Sequence, residues 1–152
     1  MDLEQIFCAH QKEIFVYFLR TVGQRELAED LAQETFTRAC RAALLYRAEA
    51  SIRTWLFSIA RATMADHFRK RNPEVLQEPE DIAVVSAAEK RVEVEEALAA
   101  LPLTSREALT LCDVLDVPQD EAAAVLGIEP NAFRVRLHRA RRRFREVYGR
   151  EG

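Results

Sequence analysis

Apolar side chains recur every three or four positions along almost the whole chain, and the recurrence lapses once. Leu3, Ile6, Phe7, Ile14, Phe15, Phe18, Leu19 and Val22 set the first run, which ends near Gly23. Leu27, Leu31, Thr35, Phe36, Ala39, Cys40 and Ala43 set the second, and Trp55, Leu56, Ile59, Ala60, Met64, His67 and Phe68 the third. Stripes with this period mark helices that each bury one face. Ser51 is placed to cap the third helix and Pro73 to end it. Only four glycines and five prolines occur in 152 residues, too few for a turn-rich β protein. The expected fold is all-α, with three helices burying their stripes against one another in a small domain, 1–72.

The lapse falls between Pro73 and about Val85, where Pro73, Pro79 and acidic residues accumulate. Residues 73–86 read as an acidic linker. Helical rhythm returns near Ala87 and continues to Ala100, with Val92, Leu98 and Leu101 facing inward, and opens a second small domain, 87–152. Thr104-Ser105-Arg106-Glu107 has the form of a capping box, followed by Leu109, Leu111, Cys112 and Leu115. Val117-Pro118 breaks the chain, and Pro118 suits the first turn of a short helix, Gln119 to Leu126. Gly127 then supplies a residue tolerant of positive φ, Ile128 packs inward, and Pro130 opens the last helix. Ala123 lets the two helices approach and Phe133 closes the pair. Helix, glycine turn and basic helix together read as a helix-turn-helix.

That last helix, NAFRVRLHRARRRFREVYGR from Asn131 to Arg150, carries eight arginines. At 100° per residue, Phe133, Leu137, Ala140, Phe144, Val147 and Tyr148 form an apolar stripe. Asn131, Arg134, Val135, His138, Arg139 and Arg142 lie opposite, with Arg136, Arg141, Arg143 and Arg145 on the flanks. Like charges at i,i+4 repel, so this crowding points to a polyanionic partner, and guanidinium groups suit both phosphates and guanine edges. The formal net charge of −3 conceals the segregation. Five cations face only Asp66 between Ser51 and Asn72; eight acids face only Lys90 and Arg91 between Pro73 and Glu96. Two basic segments flank an acidic one, the footprint of a nucleic-acid binder.

Other chemistries find little support. Cys8, Cys40 and Cys112 form no CxxC pair, so neither a disulfide framework nor a zinc site is indicated, and no metal or cofactor is expected. Cys40 and Cys112 sit in apolar stripes and read as small core hydrophobes. There is no Gly-rich phosphate loop, HExxH or GxSxG, and the three histidines are scattered, so no catalytic residue is assigned. No apolar run is long enough for a membrane span, and the N-terminus lacks a signal-peptide pattern, so a cytoplasmic location with no direct membrane association is expected.

Three blocks, DLAQETFTRACRA (Asp30–Ala42), ASIRTWLFSIARATMADHFRKR (Ala50–Arg71) and AAAVLGIEPNAFRVRLHRARRRF (Ala122–Phe144), resemble in order those of the extracytoplasmic-function (ECF) group of bacterial RNA polymerase sigma factors. The resemblance covers nearly the whole chain. It implies a transcription initiation factor, not an enzyme, that joins core RNA polymerase, directs it to promoter DNA and helps open the duplex. The first domain would correspond to sigma region 2 and the minus-ten element, the second to sigma region 4 and the minus-thirty-five element. An anti-sigma factor, in this family often membrane-anchored, is a further implied partner.

By position, the resemblance assigns polymerase contacts to Asp30, Gln33 and Glu34, with Arg38 and Arg41 on the same helix. It places the minus-ten element against Tyr46, Arg47, Ser51, Arg53, Arg61, Ala62, His67, Arg69, Lys70 and Arg71, with Tyr46 to Ser51 resembling a loop that holds a flipped-out base. Ala48 stands where the family often has Gly, and Ala62 where it often has Asn. Trp55 fits either the core or a DNA-facing edge. In the last helix the implied base-reading positions are Arg134, Val135, His138 and Arg139, the face the helical wheel had already turned outward, with Asn131, Arg136 and Arg142 beside them. Arg136, Arg141, Arg142 and Arg143 read as phosphate anchors or as ion-pair partners. Glu74, Glu78, Glu80 and Asp81 either thread a basic polymerase channel or form a solvated tether. A helix-turn-helix regulator acting without polymerase would explain the last helix but leave Asp30–Ala42 and the acidic linker without a role.

Overall fold

The computed structural model describes residues 2–71 and 93–151. The acidic linker, the helix onset near Ala87 and Val92 lie outside them. Seven α-helices follow one another among the described residues: α1 (Leu3–Val22), α2 (Arg25–Ala42), α3 (Ile52–Arg71), α4 (Glu93–Ala99), α5 (Leu103–Leu109), α6 (Gln119–Leu126) and α7 (Pro130–Glu151).

Local chemistry explains most of the ends. The Asp2 carboxylate accepts the Glu4 and Gln5 N–H groups at 3.1 and 3.4 Å and caps α1. Ser51 Oγ accepts the Thr54 N–H at 3.1 Å and caps α3, as the sequence suggested. A turn of 3₁₀-helix, Ala43–Leu45, extends α2. A π-helical turn, Thr110–Val114, extends α5, and the Leu115 N–H closes it on the Thr110 carbonyl at 2.9 Å. Between α6 and α7, Gly127 adopts φ 69°, and the Ile128 N–H reaches back to the Ala123 carbonyl at 3.1 Å, a left-handed helix stop.

The expected capping box does not form. α5 begins one residue before Thr104, and Pro102 at the cap position supplies no side-chain bond. Thr104 is already helical and buried, so its hydroxyl is not where a cap must be. Glu107, the other half of the box, is fully buried and is bonded instead by side chains of α1 and α3.

Burial follows the stripes with four informative exceptions. Ile14, Phe18, Leu31, Leu56, Ala60 and Met64 form the centre of the first three-helix unit; Leu101, Leu111, Phe133 and Leu137 are central to the second. Tyr17 and Phe57 lie off the expected stripes and are nevertheless fully buried, their rings edge to face at 5.5 Å. They face the second unit. α6 packs on α3 and α5 on α1, so one contiguous hydrophobic core runs through both units. Cys40, expected in the core, is exposed, while Cys112 is partly buried against it. Ala39, in the same turn, is fully buried, whereas Cys40 lies beside it on the rim of the groove lined by Phe7, Phe15 and Phe36. Tyr148 is likewise exposed, its ring stacked on Phe144 at 5.5 Å.

Candidate nucleic-acid interface

Helix α7 is held by its apolar edge. Phe133, Leu137 and Ala140 are buried against α5 and α6, which turns the other edge to solvent. Asn131, Arg134, Val135, His138, Arg139 and Arg142 are all exposed there. Arg134 Nη1 donates to Asn131 Oδ1 at 3.3 Å, and Arg142 lies 3.6 Å from Glu146. Both contacts are exposed pairs of little strength, so the side chains can exchange them for a ligand. Arg136 is half-buried on the flank. Arg141 differs: its guanidinium makes a two-point ion pair with Asp113, at 2.6 and 2.9 Å. That pair ties α7 to the π-helical turn, so Arg141 braces the fold. A groove runs beside the exposed face, lined by Thr104, Ser105, Val135, Arg136, Arg139 and Arg143. Thr104 is buried in its wall, and the half-buried Ser105 beside these guanidinium groups suits a phosphate backbone passing along the helix.

Helix α3 presents its cations differently. Arg53 pairs with Glu13 at 3.0 Å and donates to the Leu115 carbonyl of the second unit. Arg61 Nε donates to Glu107 Oε2 at 3.0 Å, and its side chain is only 19% exposed. The hydroxyl of buried Tyr17 donates to the same oxygen at 3.1 Å. Burial pushes the Glu107 carboxyl above its ordinary value, and Arg61, Tyr17 and Arg136 oppose that rise. Burial also raises the Tyr17 phenol, helped by the nearby carboxylate. Beside this cluster Arg106 is 1% exposed and donates to the Thr21 carbonyl at 2.7 Å; burial lowers its pKa.

Farther along α3, Arg69, Lys70 and Arg71 are exposed, Arg69 in a 3.3 Å pair with Asp66. His67 is half-buried against Phe68, in the groove between α2 and α3 that also holds Asp30 and Glu34. Burial and the neighbouring Arg71 lower its pKa. Ala62 is exposed and offers only a methyl group. The structure therefore does not gather the sequence-derived minus-ten residues on one open surface. Arg53 and Arg61 turn toward the second unit, His67 toward α2, and the C-terminal cations toward solvent.

In the loop before α3, Tyr46 packs on Trp55 at 5.0 Å between ring centres, and its hydroxyl donates to the Ala50 carbonyl at 2.5 Å. Arg47, Ala48, Glu49, Ala50 and Ser51 are exposed. Ala48 has φ 56°, in the left-handed region that a β-carbon disfavours. Trp55 is partly buried against the core. On α2, Asp30, Gln33, Glu34 and Arg41 are exposed. Arg38 bridges to α3 through Asp66 at 2.7 Å and to Glu34 at 3.2 Å, and these carboxylates raise its pKa.

Sequence reasoning missed Tyr17, Arg106 and Glu107. One signal was present: Glu107 lies four residues after Leu103 and four before Leu111, on the buried edge of its helix. A carboxylate in an apolar stripe needs partners from elsewhere. Among the described residues, no helix is long and apolar enough to cross a membrane, and no three His, Cys, Asp or Glu side chains gather as metal ligands.

Known proteins match in two blocks. The description "Sigma-70 region 2" fits residues 6–74, and "Sigma-70, region 4" fits residues 91–144. The ECF RNA polymerase sigma factor SigM of Bacillus subtilis is 31% identical over 159 residues, spanning 99% of this chain and 97% of that protein. The ECF RNA polymerase sigma factor SigC of Mycobacterium tuberculosis is 38% identical over 149 residues, spanning 91% of this chain and 79% of that protein. Among solved structures, the sigma factor RpoE of Bartonella quintana in complex with the anti-sigma factor NepR superposes with a TM-score of 0.79 at 25% identity, covering 96% of both chains. CnrH in complex with the cytosolic domain of CnrY gives 0.75 at 26% identity, covering 99% of this chain and 89% of that one.

Proposed function

The chain belongs to the ECF group of RNA polymerase sigma factors, and from that premise we propose how its surfaces divide the work of directing polymerase to promoters. Helix α7 enters the major groove of the minus-thirty-five element. Arg134 or Arg139 pairs with a guanine edge, Val135 touches a thymine methyl, and His138 lies between them. Arg136, Arg142 and Arg143, with Ser105, hold the flanking phosphates. The observation that carries this reading is the exposure of the base-reading positions on a helix locked from behind by Phe133 and Leu137.

The first domain meets polymerase through Asp30, Gln33, Glu34 and Arg41, the exposed acidic and polar edge of α2. Arg38 positions that edge through Asp66. The Tyr46–Ser51 loop receives a flipped base of the minus-ten element, and Arg53, Arg61, Arg69, Lys70 and Arg71 hold its phosphates. The work is recognition and strand opening, without catalysis. An anti-sigma factor, the kind of partner bound in the RpoE complex, would compete for the surfaces that polymerase uses.

The test is transcription from pooled fragments of the source genome by bacterial core polymerase, with and without the protein. Starts that appear only with it, sharing paired upstream and downstream elements, are expected. No new starts, together with tight duplex binding by the protein alone, would favour an independent helix-turn-helix regulator.

A further inference from the structure

Both hydrogen bonds to Glu107 come from the first three helices, and one comes from a residue assigned above to DNA. Arg61 Nε lies 3.0 Å from Glu107 Oε2 and the Tyr17 hydroxyl 3.1 Å from the same oxygen. The carboxylate is fully buried, so Arg61 faces it with little competing water. A DNA phosphate would compete for the same guanidinium group, whose side chain is only 19% exposed while α5 and α6 lie on α1 and α3. Arg53 is engaged the same way, by the Leu115 carbonyl of the second unit. Arg106 completes the contact by inserting into α1, donating to the Thr21 carbonyl at 2.7 Å. Arg106 Nε, Arg106 Nη2 and Glu107 Oε1 find no hydrogen-bond partner among the described residues. Buried ions with incomplete partners form a contact poised to open, because separation returns them to water.

We propose that Glu107 is a built-in substitute for promoter phosphate. It holds the free chain closed by occupying Arg61, and it competes with minus-ten DNA for that arginine. The two domains therefore part before α3 engages DNA, while α7 stays available throughout. This inference rests on the reading that Arg61 meets DNA, and its test separates the two.

The test uses the full chain, wild type and Glu107→Lys, with helix content and melting checked by circular dichroism. A lysine at position 107 faces Arg61 only in the closed form, whereas Arg106, next to it on α5, and Arg136 of α7, which acts on Glu107 electrostatically, belong to the same unit in either form. By small-angle X-ray scattering the wild type has the radius of gyration of a compact chain of this length, about 15 Å, and the variant is larger by roughly a fifth or more. A fluorescent single-stranded oligonucleotide carries the downstream element of a start mapped with this protein and core polymerase. It binds the variant ~10-fold more tightly, as for a site blocked about nine-tenths of the time.

The double variant Arg61→Glu, Glu107→Arg recovers the compact radius without the gain in binding. A folded Glu107→Lys protein that stays compact, or opens without tighter binding, overturns the competition, as does a double variant that remains expanded. Should Glu107→Lys not fold, Tyr17→Phe withdraws one donor from the carboxylate and keeps the ring. It shifts both readouts in the same directions, and no shift in either overturns the proposal. Failure to map any start would instead overturn the transcription reading, leaving the scattering result to stand by itself.

Discussion

Helices α3 and α7 each carry cations assigned to DNA, and they hold them in opposite ways. On α3, Arg53 and Arg61 are engaged inside the molecule by Glu13, the Leu115 carbonyl and Glu107. On α7, Arg134, His138 and Arg139 stand in solvent; between Glu129 and Arg150 the sequence sets two acids against eight arginines, and Asp113 of the π-helical turn pairs with Arg141 on the flank. What separates the two faces is the company each keeps. Where acids from neighbouring helices converge, a basic helix closes on its own chain; where they are scarce, its charge remains for a partner. A charge count along the sequence cannot make this distinction, because the acids that neutralise α3 come from α1 and α5.

The comparison breaks most sharply at Glu107. Removing one member of a buried ion pair destabilises by about 3–5 kcal/mol, because the charge left behind remains desolvated. Glu107→Ala is expected to withdraw stabilisation of this order from the closed form, seen in calorimetry as a single transition resolving into two as each domain melts separately. A pH signature accompanies it. The Glu107 carboxyl is raised above its ordinary value of 4.5 in the folded protein, so the folded form binds a proton more readily than the unfolded one. Its contribution is full below the ordinary value and declines as pH rises through the raised one. The pH dependence of the wild-type midpoint, minus that of Glu107→Ala, should fall across that window. A flat difference would show that the carboxyl is not perturbed by folding.

The same residue marks where sequence reasoning stopped. Helices, the glycine turn and the outward face of α7 were legible because each follows from spacing within one segment. Phe133 and Leu137 had to be buried, so Arg134 and Arg139 had to face out. Tyr17 and Phe57 were not legible in this way, since each is buried by a segment distant in sequence, and for Glu107 the spacing marks a buried edge without naming what meets it. Glu107 reads as half of a capping box because that motif is local, whereas its partners lie 90 residues away at Tyr17 and 46 away at Arg61. Cys40 failed in the opposite sense: Ala39 takes the buried place in that turn, and Cys40, one position on, is turned to the exposed rim.

On the open face, effects should appear in binding and leave folding alone. Arg139→Ala is expected to reduce discrimination between the preferred promoter and a single-base variant by about 1–3 kcal/mol. Its unfolding free energy should stay within about 0.5 kcal/mol of wild type, as for an ordinary surface position. Holoenzyme competition between the two promoters measures the first, and urea denaturation the second. Equal weakening on all promoters would make Arg139 a phosphate contact. Arg142→Ala is expected to do that: its loss should flatten the plot of log affinity against log salt by about 1, the signature of one phosphate contact removed. An unchanged slope would leave Arg142 to its exposed pairing with Glu146.

The smallest effect contrasts the two turns that serve these faces. Gly127 and Ala48 both have positive φ, 69° and 56°, but only the first is a glycine. A β-carbon in this region costs about 1–2 kcal/mol, and glycine returns roughly 0.5–1 kcal/mol of that through its freer unfolded chain. Ala48→Gly should therefore stabilise by about 0.5–1 kcal/mol, and Gly127→Ala should destabilise by a similar amount. No heavy atom lies within 4 Å of a β-carbon built at Gly127, so its penalty is purely one of backbone conformation. Matched and opposite shifts in urea midpoint would mean that the Tyr46–Ser51 loop stores strain which the helix-turn-helix turn avoids. If Ala48→Gly gains nothing, the loop relaxes to negative φ in solution, and the base pocket proposed for it would have to form only when DNA arrives.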